Sequence, residues 1–480
     1  MRALNFLSIA EIARGLRAKK FQARNVVEAY LKNIARIEPQ LNAFTHLDEP
    51  GAIAQAHAAD AARQSGEQLG PLHGVPITLK SSVDVAGWPC PAGSRLRANY
   101  VPTSDAPLVA RLKSSGAILL GNTNTPENLM AYESDNALRG ASGNRTSNPW
   151  NLAHSAGGSS GGEAAAIAAG CSAGGVGSDG GGSIRVPAHF CGICGLKPTP
   201  GRIPATGHFP PSSGAFSWLG VVGPMARTVA DVRALFEVLY GPDPGDALSA
   251  PVAARNFTST DLRGMRIGLL ETAALGAHTP ETTAAVEKTA TALEARGCKI
   301  EPFHLSDLSR ALELWWFFFG PMVAHLFRGS ITSEEEPQLS TQLGPQLSTQ
   351  FREYLLVAMA DPPPTLDVLL AACAERDRLR AAVLGKMADV PVLLSPVSAG
   401  PAFRHGEGSW RGPGGYRETM RASQWLNLVG FPAISVAAAF SADGLPIGVQ
   451  LIGRPHEEEL LLDVAAAVEE ERGVYPAPNI

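Results

Sequence analysis

The chain has 480 residues and a mass of 50.3 kDa, with 45% hydrophobic and 18% charged positions, enough apolar material for a large core and too much for a disordered polymer. Forty Lys plus Arg stand against 45 Asp plus Glu, a net charge of −5 with a pI near 6.1, which offers no basic field for nucleic acid or an anionic bilayer. The longest strongly apolar run, Leu314 to Phe327, carries Gly320 and Pro321 and falls short of the ~20 residues that cross a membrane, so no span is predicted. The first residues carry an apolar stretch broken by Asn5 and Ser8 and closed by Glu11, with no small-residue cleavage site behind a basic start, and the six cysteines are too scattered for a disulfide framework. A cytoplasmic protein with reduced thiols is expected.

Ser8-Ile9-Ala10-Glu11 is a capping box opening an amphipathic helix, and Ala23 to Ile37 repeats apolar residues at helical spacing until Pro39. Val75, Ile77 and Leu79 alternate with Pro76, Thr78 and Lys80, which predicts a strand with Lys80 at its carboxyl end. A helix over Ala106 to Ser115 leads into a strand over Ala117 to Gly121. Gly241 to Gly264 reads as a linker. Met265 to Leu270 reads as a strand, Thr279 and Pro280 open a helix that Gly297 ends, and Lys299 to Phe303 is the next strand. Alternating helix and strand predict an α/β fold: a large mixed, mostly parallel sheet covered by helices on both faces, in one domain over 1–480. Its amino-terminal part, 1–65, is expected to be helical. An excursion over 305–360 is expected to serve as a substrate pocket or lid; it contains a duplicated Pro-Gln-Leu-Ser-Thr-Gln at 337–342 and 345–350. Trp315 to Phe319 is read first as core.

Between Ser155 and Arg185 there are 11 glycines in 31 residues, and from Ser155 to Ala230 the only charges are Glu163, Asp179, Arg185, Lys197, Arg202 and Arg227. So little charge predicts burial, and buried bare backbone needs partners for its N–H groups. Three motifs compete here. Gly175 to Gly180 fits the dinucleotide pattern GxGxxG, but a helix rather than a strand precedes it and no acid follows through Ala230 to hold a ribose. Gly157 to Gly162 satisfies GxSxG twice, with Ser159 or Ser160 as the nucleophile of a Ser-His-Asp esterase, but the polar, Pro149-containing residues before it are not the hydrophobic strand that elbow needs.

The third pattern is Gly157-Gly158-Ser159-Ser160-Gly161-Gly162, then Ser178-Asp179-Gly180-Gly181-Gly182-Ser183-Ile184-Arg185, with Lys80 on its strand. Together with Phe190 to Thr199 and Gly444 to Pro455, it resembles the amidase signature family of Ser-Ser-Lys hydrolases. The likeness runs from about residue 65 to 470. It implies the family fold and an acyl-enzyme mechanism with Ser183 as nucleophile, Ser159 as proton relay across a cis Gly158–Ser159 bond, and Lys80 as base. The Gly180, Gly181 and Gly182 amides are the expected oxyanion hole, although this chain has Gly180 where many members carry a larger residue. Ser160, Asp179 and Arg185 are expected in support, the last two pairing across the loop, and Met130 and Tyr132 fall where the family places residues near the scissile carbonyl.

A serine hydroxyl needs a base within hydrogen-bond reach, and a lysine serves only when burial lowers its pKa from ~10.4. The charge-poor surroundings supply that burial. Cys191-Gly192-Ile193-Cys194 has no second pair, and no histidine spacing suggests a metal, so neither metal nor cofactor is expected. The predicted function is hydrolysis of a small-molecule amide, anilide or carbamate. The family also contains the amide-transferring component of a tRNA-dependent amidotransferase, a partner-requiring alternative. Glu163 and Ser81 favour a stand-alone enzyme, and a homo-oligomer is left open. Specificity is expected to lie in 125–145, 205–220 and 305–360.

Overall fold

The computed structural model describes residues 3–138, 144–211, 213–253, 255, 261–325, 327, 346–473 and 475–480. Its first strands are β1 (Phe44–Leu47), β2 (Pro76–Lys80), β3 (Ile118–Thr123), β4 (Ser147–Asn148), β5 (Asn151–Ser155), β6 (Gly174–Asp179), β7 (Cys194–Lys197) and β8 (Val221–Ala226). Then follow β9 (Arg266–Leu270), β10 (Lys299–Phe303), β11 (Val392–Pro396), β12 (Ala433–Phe440) and β13 (Pro446–Gly453). Eleven of them make one sheet in the order β1-β3-β2-β6-β8-β7-β12-β13-β11-β9-β10, and β4 and β5 pair separately.

The mixed sheet with helices around it is as expected, but its parallel share is smaller than predicted. Of ten neighbouring pairs, four are parallel: β3-β2 and β2-β6 on one flank, β11-β9 and β9-β10 on the other. The centre is antiparallel. Parallel neighbours need a crossover, and the helices that supply one lie mainly in the stretches feeding the flanks; β12 turns straight into β13. Both faces of the sheet are covered. Val392 and Leu394 of β11 enter one apolar core while Leu393 between them enters another, as the two-residue strand period requires.

Several predicted elements stand where expected. Ser8 Oγ accepts the Glu11 N–H at 3.1 Å while the Ser8 N–H donates to Glu11 Oε2 at 2.7 Å, closing the capping box. Thr279 caps the helix Pro280–Ala295, and β10 has the predicted bounds. Two differ. The helix predicted to stop before Pro39 runs over Ala23–Leu41, because Pro39 lies in its last turn and the chain leaves through Asn42 in a left-handed conformation, φ 53°. The amino-terminal part is helical except for β1, which pairs with β3. Gly175 and Gly177 of the GxGxxG pattern lie within β6 rather than in a phosphate loop, and Gly180 follows its end. Of the duplicated hexapeptide, only residues 346–350 fall within the described part, where Ser348 caps the helix Thr349–Ala358; the first copy, and with it residues 328–345 of the expected excursion, lies outside the described residues.

β2 and β6 are parallel neighbours ending side by side, so Lys80 and Ser178-Asp179 arrive together at one edge of the sheet. The Ala-rich helix Gly161–Ala168 packs against both strands and opens at Ser159-Ser160.

Candidate active site

Lys80 is fully buried, and its Nζ lies 2.6 Å from Ser159 Oγ, 3.0 Å from Ser160 Oγ and 3.0 Å from Ser178 Oγ. Burial pushes its pKa well below that of an ordinary lysine, although the carboxylates of Asp179 and Glu163 pull the other way. Three hydroxyls around one amine satisfy its hydrogen bonding in either protonation state. Ser160 accepts the Ser178 N–H at 3.2 Å and donates to the Ser178 carbonyl at the same distance, tying the helix start to β6. The Gly158–Ser159 peptide is cis. A Cβ on Gly158 would stand 2.6 Å from the Ala131 carbonyl oxygen, so only glycine fits that approach.

Ser183 keeps 9% of its surface exposed against 1% for Ser159, so it is the more reachable hydroxyl. Its carbonyl accepts the Ser160 N–H at 3.1 Å, which clasps the two serine segments together. Among the described residues no hydrogen bond joins Ser183 Oγ to Ser159 or Lys80, so the observed wire is its Lys80–Ser159 half. Asp179 and Arg185 pair as expected, 3.0 Å apart and both fully buried. Burial alone would raise the Asp179 pKa, but the Arg185 charge and hydrogen bonds prevail and hold it well below the carboxylate range.

The glycine loop departs from expectation at one amide. Gly182, at φ 124°, donates its N–H to Asp179 Oδ1 at 2.7 Å, so that group is already engaged. The N–H groups of Gly181 and Ser183 find no acceptor among the described residues. A Cβ on Gly180 would meet Phe319 at 3.4 Å and Phe216 at 3.9 Å, ordinary contacts that leave this position open to a side chain. Met130 and Tyr132 are both buried; the Tyr132 hydroxyl donates to the Gly181 carbonyl at 2.6 Å, and the Met130 carbonyl accepts the Trp410 indole N–H at 2.9 Å. Tyr132 therefore faces the loop.

Other participants went unassigned in the sequence. Ser178 was visible in its motif but without a role. Trp315, read as core, is core and also donates its indole N–H to the Gly180 carbonyl at 3.0 Å. Asn427 and Gln450 hold Arg185 at 2.7 and 3.0 Å, and no spacing signal links positions 242 and 265 residues apart. Glu163 is fully buried and accepts from the hydroxyls of Thr78 and Thr123, which flank Lys80 on β2 and β3. Burial pushes its pKa up to about 7 despite those hydroxyls and the Lys80 charge. No histidine is hydrogen-bonded to Ser159, Ser160 or Ser183 among the described residues, which removes the support for a Ser-His-Asp esterase. Nor, among them, does any group of three or more His, Cys, Asp or Glu stand ready to hold a metal, and no helix there is long and apolar enough to cross a membrane.

The amidase family model matches residues 25–462. The A subunit of the glutamyl-tRNA(Gln) amidotransferase of Synechococcus sp. (strain CC9605) is 34% identical over 98% of this chain and 97% of its own. An acylamidase of Rhodococcus erythropolis is 33% identical over 97% of this chain and 95% of its own. The crystal structure of a bacterial aryl acylamidase of the amidase signature family matches with a TM-score of 0.85 at 26% identity, covering 97% of this chain and 96% of that one. With serine motifs, fold and near full-length likeness in agreement, the chain belongs to the amidase signature family and is a hydrolase of carbon–nitrogen bonds other than peptide bonds.

Proposed function

We propose that the chain hydrolyses a small-molecule amide, anilide or carbamate through an acyl-enzyme on Ser183. The observation that carries this is the buried Lys80 amine, its charged form disfavoured, 2.6 Å from Ser159 Oγ. An unprotonated Lys80 draws the Ser159 proton while Ser159 takes that of Ser183, and Ser183 Oγ attacks the carbonyl. The relay runs backwards to protonate the leaving nitrogen. Water then attacks the ester with the same base, releasing the acid. Closing the wire requires a hydrogen bond from the Ser183 hydroxyl to Ser159, and the Ser160 N–H, bonded to the Ser183 carbonyl, ties the two segments together. Developing negative charge on the carbonyl oxygen meets the unoccupied amides of the glycine loop, where one donor is worth ~10²–10³ in rate.

The test is mass spectrometry of the intact protein and of its proteolytic peptides after treatment with a fluorophosphonate. One adduct on Ser183 is expected, and Lys80→Ala should lower its rate by ~10²-fold or more near neutral pH. A label on another serine, or unaltered labelling of the Lys80→Ala protein, would overturn the assignment. Identity of 34% to a component of an amidotransferase favours a second reading in which the same machinery releases ammonia from glutamine within a complex. The two readings differ in whether the chain works alone.

A further inference from the structure

Each peptide unit of the glycine loop has its carbonyl held by a different partner. The Gly180 carbonyl accepts the Trp315 indole N–H at 3.0 Å. The Gly181 carbonyl accepts the Tyr132 hydroxyl at 2.6 Å. The Gly182 carbonyl accepts the Val186 N–H at 2.7 Å. In a trans peptide the N–H points opposite to the C=O, so fixing one fixes the other. The Gly180–Gly181 unit, pulled toward Trp315, turns the Gly181 N–H away from it. The Gly182–Ser183 unit, pulled toward Val186, does the same for the Ser183 N–H. The unit between them is locked at both ends, its N–H on Asp179 Oδ1 at 2.7 Å.

We infer that Trp315 and Tyr132 are positioning residues that clamp the glycine loop so that the Gly181 and Ser183 amides converge on the oxyanion. Tyr132 is therefore a loop anchor rather than a wall of the substrate site, and Trp315 links the 305–360 segment to the reaction centre. Glycine at 181 is required by the same contacts: a Cβ there would lie 2.9 Å from the Tyr132 hydroxyl and collide with the Trp315 ring. The indole is itself held, stacked on Phe319 at 4.7 Å with the planes 17° apart. Three glycines in succession would otherwise leave the loop many conformations, and a donor that must reorganise during attack stabilises the transition state less than one already aimed.

This inference rests on Ser183 being the nucleophile, and the test keeps the two apart. Purified wild-type, Trp315→Phe and Tyr132→Phe proteins are compared by the binding of phenylboronic acid, whose tetrahedral serine adduct carries an oxygen in the hole, and of benzamide, which stays planar. Each variant removes one donor and keeps the ring or most of it. Phenylboronate affinity is expected to fall about tenfold in each variant, with benzamide affinity within about twofold of wild type and the pH dependence of Ser183 phosphonylation unmoved. Equal loss for both ligands, or phenylboronate affinity retained by Tyr132→Phe, the milder change, would overturn the clamp. Wild-type protein that takes no label at Ser183 would instead overturn the hydrolytic assignment beneath it.

Discussion

A fully buried lysine is an unusual base, and the role proposed for Lys80 rests on a balance between burial, which disfavours its charged form, and two nearby carboxylates, which favour it. Asp179 is committed to Arg185, so the adjustable partner is Glu163. An anionic Glu163 favours the ammonium form of Lys80, and the amine can accept a proton only above its own pKa. The rate of acylation should therefore rise with pH through the Lys80 titration. Replacing Glu163 by Gln removes the negative charge and lowers the Lys80 pKa further, so the acid limb of kcat/KM moves to lower pH while the plateau changes less than threefold or so. Because burial pushes the Glu163 pKa up to about 7, its carboxyl acts on Lys80 only where it is ionised, so the shift of the limb is confined to the part that lies above neutrality. A pH profile of both proteins on one amide settles the matter; a limb that stays put or moves upward means that Glu163 does not set the base.

Among the elements, the helix Gly161–Ala168 lies close against its neighbours. A Cβ on Gly162 would stand 2.6 Å from the Asn124 carbonyl oxygen and 2.7 Å from that of Ala43, both backbone atoms that cannot swing aside. Gly162→Ala is expected to cost ~1–3 kcal/mol in a urea unfolding experiment, with activity falling further than stability because the helix start carries Ser159 and Ser160. Gly180→Ala meets only ordinary contacts and should leave the unfolding midpoint in place. Much at this scale was legible beforehand: capping boxes and turn prolines act locally, so Ser8, Thr279 and Pro280 announced their helices. Pro39 misled because, so near the end of the helix, the bond it removes and the clash of its ring with the carbonyl four residues back disturb only the final turn. The serine segments and Lys80 were legible through their motifs. Ser160, Asp179 and Arg185 were legible as their supports, but the distant ones were not, since the bonds from Arg185 to Gln450 and from Trp315 to Gly180 join parts of the chain 265 and 135 residues apart that only the tertiary fold brings together.

For the molecule as a whole, the sheet gathers one site from both halves of the chain. Lys80 comes from β2, Ser178 from β6, Trp315 from the helix Leu308–Phe317, Asn427 from the helix Arg421–Val429 and Gln450 from β13. Each group held at the glycine loop, its carboxylate and its guanidinium has a partner in this same chain. Purified without any second protein, the chain should therefore turn over at least one class among primary amides, anilides, fatty amides and carbamates. Hydrolysis of glutamine alone, appearing only on co-expression with another protein, would instead favour the amidotransferase reading.

The stacking of Phe319 on Trp315 carries a lesson for anyone wishing to retune this catalyst. The indole owes its place to that stack as well as to its bond to the Gly180 carbonyl, so a change in either neighbour reaches the glycine loop. A change at Phe319 that breaks the stack is therefore expected to loosen the indole and slow turnover, although the Phe319 ring bonds to no carbonyl of that loop.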